Sequence, residues 1–186
     1  MYTISIISSS VRIGRQSHHV ALFFKQFIES HQLASVDLID LMEYQFPIFD
    51  ERLSKMKDPS PEMLSFSERV KAADGIIIVT PEYNGGYPAS LKNAIDLLYP
   101  EWKRKPIGLA SVSNGSFAGS QVLTSLTFTL TKIGATVIPN MYRVGNVQDV
   151  YDEKGNASDP NVQKFARTFV DELLWYIEAM NNREKS

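Results

Sequence analysis

The sequence contains no cysteine. That absence excludes disulfide bonds, thiolate-bound metals, iron–sulfur clusters and cysteine nucleophiles. Any redox chemistry must therefore come from a bound cofactor. The three histidines, His18, His19 and His31, do not share metal-ligand spacing with a carboxylate on one helical face, so no metal site is predicted.

Excess charge and long hydrophobic runs are also absent. The formal net charge is -2 at pH 7, so there is no general basic field to attract the backbone of a nucleic acid. No apolar stretch approaches the roughly 20 residues that a membrane span requires. No positive residue precedes the short apolar stretch near the N-terminus, unlike a secretory signal. We therefore expect a cytoplasmic protein with neither a nucleic-acid nor a membrane partner.

The composition is that of a globular chain. Hydrophobic residues make up 44% and charged residues 22% of the 186 positions, which differs from the composition of a disordered chain. A chain of this length suits one hydrophobic core. We expect a single domain over residues 1–186.

Apolar runs and helical spacings alternate along the chain. The predicted strands are 2–8, 35–41, 75–80 and 106–113, with a weaker fifth at 135–145 that Pro139 interrupts. The predicted helices start near Gln16, Pro61, Pro88 and Pro160, and one more covers 117–133 despite its many threonines. This alternation predicts an α/β protein whose parallel sheet is covered by helices on both faces.

Ligands of such sheets bind beyond the carboxyl ends of the strands, so the loops after strands one, three and four are the candidates. The segment after strand one, SSSVRIGRQSHH at 8–19, combines serine hydroxyls, two arginines and a helix start. Those groups suit a phosphate, with Arg12 as the candidate cation, although a solvated serine-rich turn would look the same. Neither GxGxxG nor GxxxxGK[ST] is present, which favours a mononucleotide over a dinucleotide.

The loop after the third strand reads PEYNGGYP. Gly85 and Gly86 let main-chain N–H groups approach a ligand, while Tyr83 and Asn84 offer a flat surface and donors. N–H groups aimed at one edge of a flavin would stabilise the negative charge that develops there on reduction. Glu82 has no obvious packing purpose, and it either contacts the ligand or orients the loop.

The loop after the fourth strand, SNGSFAGSQ at 113–121, combines small residues with another helix start. Contact with a ligand and a plain turn are equally good interpretations of it. No GxSxG is present, so a hydrolase nucleophile elbow is not predicted.

Four segments of the chain resemble, in order, the successive motifs of the NAD(P)H-dependent FMN reductases. They are SSSVRIGRQSHHVA, FPIFDE, PEYNGGYPASLKNAIDLLYPEW and SNGSFAGSQ. This family includes quinone, azo-dye and chromate reductases. The resemblance covers nearly the whole chain, and PEYN followed by LKNAIDLL is its most specific part. It implies a three-layer flavodoxin-like fold with a five-stranded parallel sheet in the order 2-1-3-4-5.

The resemblance also implies a cofactor and its contacts. FMN would be bound, with NADPH or NADH as co-substrate. The implied phosphate contacts are Ser10, Arg12 and Ser17, with Gln16 and His18 nearby; His18 stands where many family members have asparagine. The implied contacts to the isoalloxazine ring are Pro81, Glu82, Tyr83, Asn84, Gly85 and Gly86 on one side and Ser113, Asn114 and Gly115 at the other edge.

The function implied is hydride transfer from NAD(P)H through FMN to a quinone, azo compound or similar small acceptor. No side chain need act as acid or base, so no catalytic residue is predicted. A non-enzymatic electron carrier and a redox-sensing flavoprotein are the alternatives. Family members are commonly homodimers or homotetramers, and the aromatic residues Tyr44, Phe46, Phe49, Tyr87, Tyr99 and Trp102 are candidates for either an interface or the core.

Overall fold

The computed structural model describes residues 1–183. Its strands are β1 (Thr3–Ser8), β2 (Ser35–Asp40), β3 (Gly75–Pro81), β4 (Pro106–Val112), β5 (Thr136–Val137) and β6 (Tyr142–Val144). Its helices are α1 (Ser17–Ser30), α2 (Leu41–Tyr44), α3 (Pro61–Ala72), α4 (Ala89–Leu97), α5 (Ser120–Lys132), α6 (Val147–Val150) and α7 (Asn161–Arg183). Short 3-10 turns cover Leu53–Lys55 and Pro100–Trp102. Among these helices, none is both long and apolar enough to cross a membrane.

The sheet is parallel throughout, with the strand order β2-β1-β3-β4-β5, and β6 also pairs with β4. The predicted fold class and strand order are confirmed. Because all strands run the same way, the carboxyl ends of β1, β3 and β4 meet at one rim of the sheet. The loops that follow these strands are therefore neighbours in space.

The fifth predicted strand differs from the expectation of one continuous element, because it is divided into β5 and β6. Proline has no N–H to donate to the ladder, and Pro139 lies between the two pieces. The Ile138 N–H still donates to the Ile107 oxygen at 3.0 Å, and pairing resumes where Tyr142 faces Ala110.

The threonine-rich segment is a helix, as its leucine spacing predicts. Leu123, Leu126 and Leu130 are buried on one face of α5. Gly134, with a φ of 88°, follows the helix end in the left-handed conformation that favours glycine. Helix α5 begins three residues later than predicted, at Ser120, because Gly119 also has a left-handed φ of 66°.

Two apolar clusters cover the two faces of the sheet. Helices α1 and α7 pack on one face, and α3, α4 and α5 pack on the other. Trp102 belongs to the second cluster: it is fully buried, and its indole N–H donates to the Ile95 oxygen at 3.0 Å. The interpretation of Trp102 as an interface residue is therefore wrong, whereas Phe49 and Tyr99 remain at the surface.

Candidate functional site

A cleft of about 350 Å³ opens at the carboxyl rim of the sheet, between the loops that follow β1, β3 and β4. Nine residues predicted from the sequence line it: Ser10, Arg12, Gln16, Ser17, Pro81, Glu82, Tyr83, Ser113 and Asn114. Larger grooves of about 560 and 800 Å³ lie elsewhere, and neither is lined by the loops after β1 and β3. We name residues 9–16 the first loop, 81–86 the ring loop and 113–119 the fourth loop.

The N-terminus of α1 opens into this cleft with an unused hydroxyl. Gln16 stands at the N-cap position and makes no side-chain cap. The Ser17 hydroxyl is buried and has no hydrogen-bond partner among the described residues. Leaving a buried hydroxyl unpaired costs about 1–3 kcal/mol. A phosphate oxygen at the helix N-terminus would supply the missing partner, so this end of the cleft fits the phosphate of FMN.

The two arginines of the first loop have different roles. The two terminal nitrogens of Arg15 donate to the two carboxylate oxygens of Asp40. One of these nitrogens also donates to the main-chain carbonyl oxygen of Ser10 at 2.7 Å. Arg15 therefore holds the loop in place. Arg12 is exposed and forms no ion pair among the described residues, which leaves it as the cation available to a phosphate.

Asp40, at the end of β2, is the anchor of this arrangement. Burial alone would raise the pKa of its carboxyl group, but the hydrogen bonds from Arg15 and from the Met42 N–H outweigh burial and lower the pKa. The carboxylate therefore stays ionised and paired at neutral pH. It neutralises Arg15, so the positive charge of the first loop is concentrated on Arg12.

His18 is not among the residues that line the cleft with the predicted phosphate site. Its ring Nδ1 lies 3.0 Å from the Ser8 hydroxyl and 3.6 Å from a carboxylate oxygen of Asp40, and the ring does not line the cleft. Burial, followed by the charge of Arg15, lowers the pKa of His18. The ring is therefore a neutral support for the first loop, and the predicted side-chain contact with the phosphate does not fit this placement.

The ring loop closes into a tight turn. The Tyr83 N–H donates to the Gly86 oxygen at 2.8 Å, and the Gly86 N–H donates back to the Tyr83 oxygen at 3.0 Å. Between them, Asn84 and Gly85 have φ values of 53° and 81°, the positive pair that a type I′ turn requires. The turn itself therefore uses the Gly86 N–H, and the approach of other main-chain N–H groups of this loop to a ligand stays a prediction. Asn84, Gly85 and Gly86 lie beyond the residues that line the cleft.

Glu82 does not present a free carboxylate to the cleft. Its Oε2 accepts hydrogen bonds from the Gln121 and Val122 N–H groups, each at 3.0 Å, in the first turn of α5. Of the two roles suggested by the sequence, the structure supports the orienting one. Glu82 is nevertheless one of the residues that line the cleft.

The fourth loop is fixed by a hydrogen bond within the loop and by another to the end of β6. The Ser113 N–H donates to the Val144 oxygen at 2.9 Å, and the Ser113 hydroxyl donates to the Gly115 oxygen at 2.8 Å. Ser113 and Asn114 line the cleft, whereas Gly115 does not. Gly115, which is predicted to contact the isoalloxazine ring, therefore lies outside the cleft wall.

One wall of the cleft is formed by residues that the sequence analysis does not predict. Val147 and Gln148, in α6, line it beside the first and fourth loops. Gly145 brings this wall close, because a Cβ at that position would lie 3.0 Å from the Gly115 oxygen. The signal was available: α6 follows the last strand, so the rule about carboxyl ends of strands applies to it as well.

Groups of three or more acidic or histidine side chains able to hold a metal ion do not occur within residues 1–183. The chemistry of the cleft therefore rests on hydroxyls, amides and one exposed cation. These groups suit an anionic ligand with a polar chain. They suit a metal ion less well, because carboxylates and imidazoles are the usual metal ligands.

Comparison with known proteins gives three kinds of match. A family model described as NADPH-dependent FMN reductase matches residues 2–149. The NAD(P)H-dependent FMN reductase LOT6 of Saccharomyces cerevisiae is 37% identical over 131 residues, which cover 63% of this chain and 68% of the relative. The FMN-dependent NADPH-azoreductase of Staphylococcus aureus is 27% identical over 184 residues, covering 92% and 93%. The flavoenzyme NAD(P)H:(acceptor) oxidoreductase FerB of Paracoccus denitrificans shares the fold, with a TM-score of 0.81 and 24% identity over 96% of this chain and 98% of that one.

Proposed function

The chain belongs to the NADPH-dependent FMN reductase family and is an NAD(P)H-dependent FMN oxidoreductase, and we propose that its FMN occupies the rim cleft. The proposed acceptors are quinones, azo compounds and similar small molecules. Bound FMN would supply the redox chemistry between NAD(P)H as hydride donor and the acceptor, while the residues of the cleft would hold and orient it. The whole chain is proposed to act as one FMN-binding domain.

The observation that carries this proposal is the buried hydroxyl of Ser17 at the N-terminus of α1, which has no hydrogen-bond partner in the part of the chain that the structure describes. It lies in the same cleft as Arg12, the exposed cation of the first loop. A hydroxyl donor, helix N–H groups and a guanidinium together suit a phosphate dianion. The phosphate of FMN is therefore assigned to this end, and the ring to the end formed by the ring loop and the fourth loop.

The side chains of the cleft bind and orient, and none is proposed as an acid or a base. Tyr83 contributes a flat surface whose hydroxyl is already bonded to the Ser10 hydroxyl at 2.7 Å. Glu82 is bonded to α5, so it is not available to move a proton. Solvent can protonate a reduced acceptor, and the protein's contribution is position and electrostatics.

The azo acceptors are supported by the azoreductase of Staphylococcus aureus, which is similar to nearly the whole chain. Quinones are proposed because they are flat two-electron acceptors of similar shape. A test is to follow NADPH oxidation by the purified protein with menadione and with an azo dye in turn. Turnover with either acceptor supports the enzyme, whereas binding of FMN without NADPH oxidation would favour an electron carrier or a redox sensor.

A homodimer, or a homotetramer built from it, is also proposed. The segment 46–52 lies against α4, where Asn93 donates to the Pro47 oxygen at 2.7 Å and accepts from the Phe49 N–H. It leaves Ile48 91% exposed, an apolar side chain that a second copy would cover. Light scattering on the wild type and on Ile48→Asp tests this assembly: a dimer that the substitution dissociates supports it, and a monomeric wild type contradicts it.

A cytoplasmic location is proposed as well.

A further inference from the structure

We propose that Glu82 is a positioning residue that locks the ring loop to the N-terminus of α5 and thereby sets the affinity for the ring of the flavin. The inference rests on the proposed function, because it takes the rim cleft as the flavin site. It differs from a direct contact with the cofactor. Glu82 would act through two backbone elements that it holds at a fixed separation.

Helix α5 lacks a local cap, and Glu82 supplies one from a distance. The N-cap position is Gly119, which has no side chain to accept a hydrogen bond. The N–H groups of Gln121 and Val122 donate instead to Glu82 Oε2, each at 3.0 Å. A serine or an aspartate at the N-cap usually does this locally. A carboxylate in this position also complements the positive end of the helix dipole.

The same two elements touch at further points. A Cβ at Gly119 would lie 3.5 Å from the Cβ of Glu82, and a Cβ at Gly85 would lie 2.9 Å from the Gln121 side-chain oxygen. Small residues at both positions therefore permit the close approach that the hydrogen bonds require. The Ser111 hydroxyl also donates to the Ala118 oxygen at 2.6 Å, which fixes the end of the fourth loop to β4.

The ring loop is thus held from two sides. Tyr83 bonds to Ser10 in the first loop, and Glu82 bonds to α5. Removing the Glu82 carboxylate would uncouple the ring loop from the first turn of α5, while the Ser111–Ala118 hydrogen bond would still hold the fourth loop to β4. The N-terminus of α1 and Arg12 would be unaffected, because neither is bonded to Glu82. The loss would therefore fall on the contacts to the ring and leave those to the phosphate.

This separation gives the inference a distinct signature. FMN and riboflavin share the ring and the polar chain, but only FMN has the phosphate. We expect Glu82→Ala to raise the Kd of both ligands by the same factor, about fivefold to tenfold, the effect of losing one helix cap. Glu82→Gln keeps an oxygen that can accept the two N–H groups and loses only the charge, so its effect should be smaller.

Amide hydrogen exchange on the flavin-free protein tests the lock without the cofactor. Exchange in peptides that cover the first turn of α5 should be faster in Glu82→Ala than in wild type, with Glu82→Gln in between. Glu178→Ala, which removes an exposed carboxylate from α7, is the matched control and should leave exchange and both Kd values unchanged. If Glu82→Ala does not fold, Glu82→Gln is compared with wild type in the same measurements, and an unchanged exchange rate would then overturn the proposal.

Two other results would also overturn it. One is an unchanged Kd for both ligands in Glu82→Ala. The other is weaker binding of FMN with riboflavin unaffected, which would place Glu82 at the phosphate end. If the wild type binds neither ligand, the proposed function fails, and the exchange rates alone decide whether Glu82 holds α5.

Discussion

The hydroxyl of Ser10 lies 2.7 Å from the hydroxyl of Tyr83, although 73 positions separate these residues in the chain. This hydrogen bond joins the first loop to the ring loop, and both residues line the cleft. It fixes the distance between the end assigned to the phosphate and the end assigned to the ring. A rigid spacing of this kind reduces the entropy lost when a ligand that spans both ends binds.

Arg12→Gln should weaken FMN binding and leave riboflavin binding unchanged. Arg12 is the exposed cation of the cleft, and a hydrogen bond to a charged group contributes about 1.5–3 kcal/mol, which corresponds to a factor of roughly 10 to 100 in Kd. Titration of the flavin-free protein with each ligand measures both values. Arg104→Gln removes an exposed arginine outside this cleft and serves as the control. Equal losses for FMN and riboflavin would show that Arg12 does not bind the phosphate.

Ser17→Ala should change stability and binding in opposite directions. In the flavin-free protein the substitution removes a buried hydroxyl that has no partner within residues 1–183, so we expect the free energy of unfolding to stay the same or rise by up to about 1 kcal/mol. In the complex it removes a donor to the phosphate, so the Kd of FMN should rise about fivefold. Denaturant unfolding and flavin titration measure the two effects. A destabilised protein with unchanged FMN affinity would contradict the role given to Ser17.

The stability of the flavin-free protein should fall as the pH falls through the ordinary pKa of histidine. Burial and the charge of Arg15 lower the pKa of His18 below its usual 6.5, so the fold favours the neutral ring. Below that pH the unfolded chain takes up the proton first, and the stability present above 6.5 is progressively lost. His18→Asn should flatten this dependence, whereas His31→Asn should retain it. Unfolding free energies measured across that range decide the matter, and parallel curves for wild type and His18→Asn would refute the assignment.

Gly145→Ala should disturb the fourth loop from its far side. The added Cβ would lie 3.0 Å from the Gly115 oxygen and 3.4 Å from the Ser116 oxygen, so the backbone must move. Overpacking costs about 1–3 kcal/mol in a well-packed core, and we expect a cost of about 1 kcal/mol at this half-buried position. We expect weaker binding of both FMN and riboflavin, since the fourth loop is assigned to the ring. Gly134→Ala is a useful comparison because it lies outside the cleft and its Cβ would lie 3.6 Å from the Lys103 side chain, although its φ of 88° adds strain. Unaltered flavin affinity in Gly145→Ala would mean that the fourth loop does not contact the ligand.

The parts of the fold that the sequence predicts are those determined by local pattern. The leucine spacing of α5 outweighs the strand preference of its threonines, because a helix buries those leucines on one face of the sheet. The position of Pro139 identifies the break in the fifth strand, and the left-handed φ of Gly85 matches the turn expected from two glycines. Serine, arginine and a helix start in the first loop likewise predict a cleft that the structure contains.

The parts that could not be predicted depend on partners distant in sequence. Whether Glu82 faces a ligand or caps α5 depends on residues 39 and 40 positions further along the chain. The sequence favours Arg12 as the cation for a phosphate but does not show the role of Arg15, which depends on the position of Asp40 at the end of β2. The use of the Gly86 N–H inside its own turn also requires the backbone conformation to be known.

The most direct test of the account is a titration of the flavin-free wild type with FMN and with riboflavin. We predict one FMN per chain and an affinity for riboflavin that is weaker by roughly a hundredfold, because riboflavin lacks the group assigned to Arg12, Ser17 and the N-terminus of α1. No measurable binding of FMN, or equal affinities for the two ligands, would contradict it.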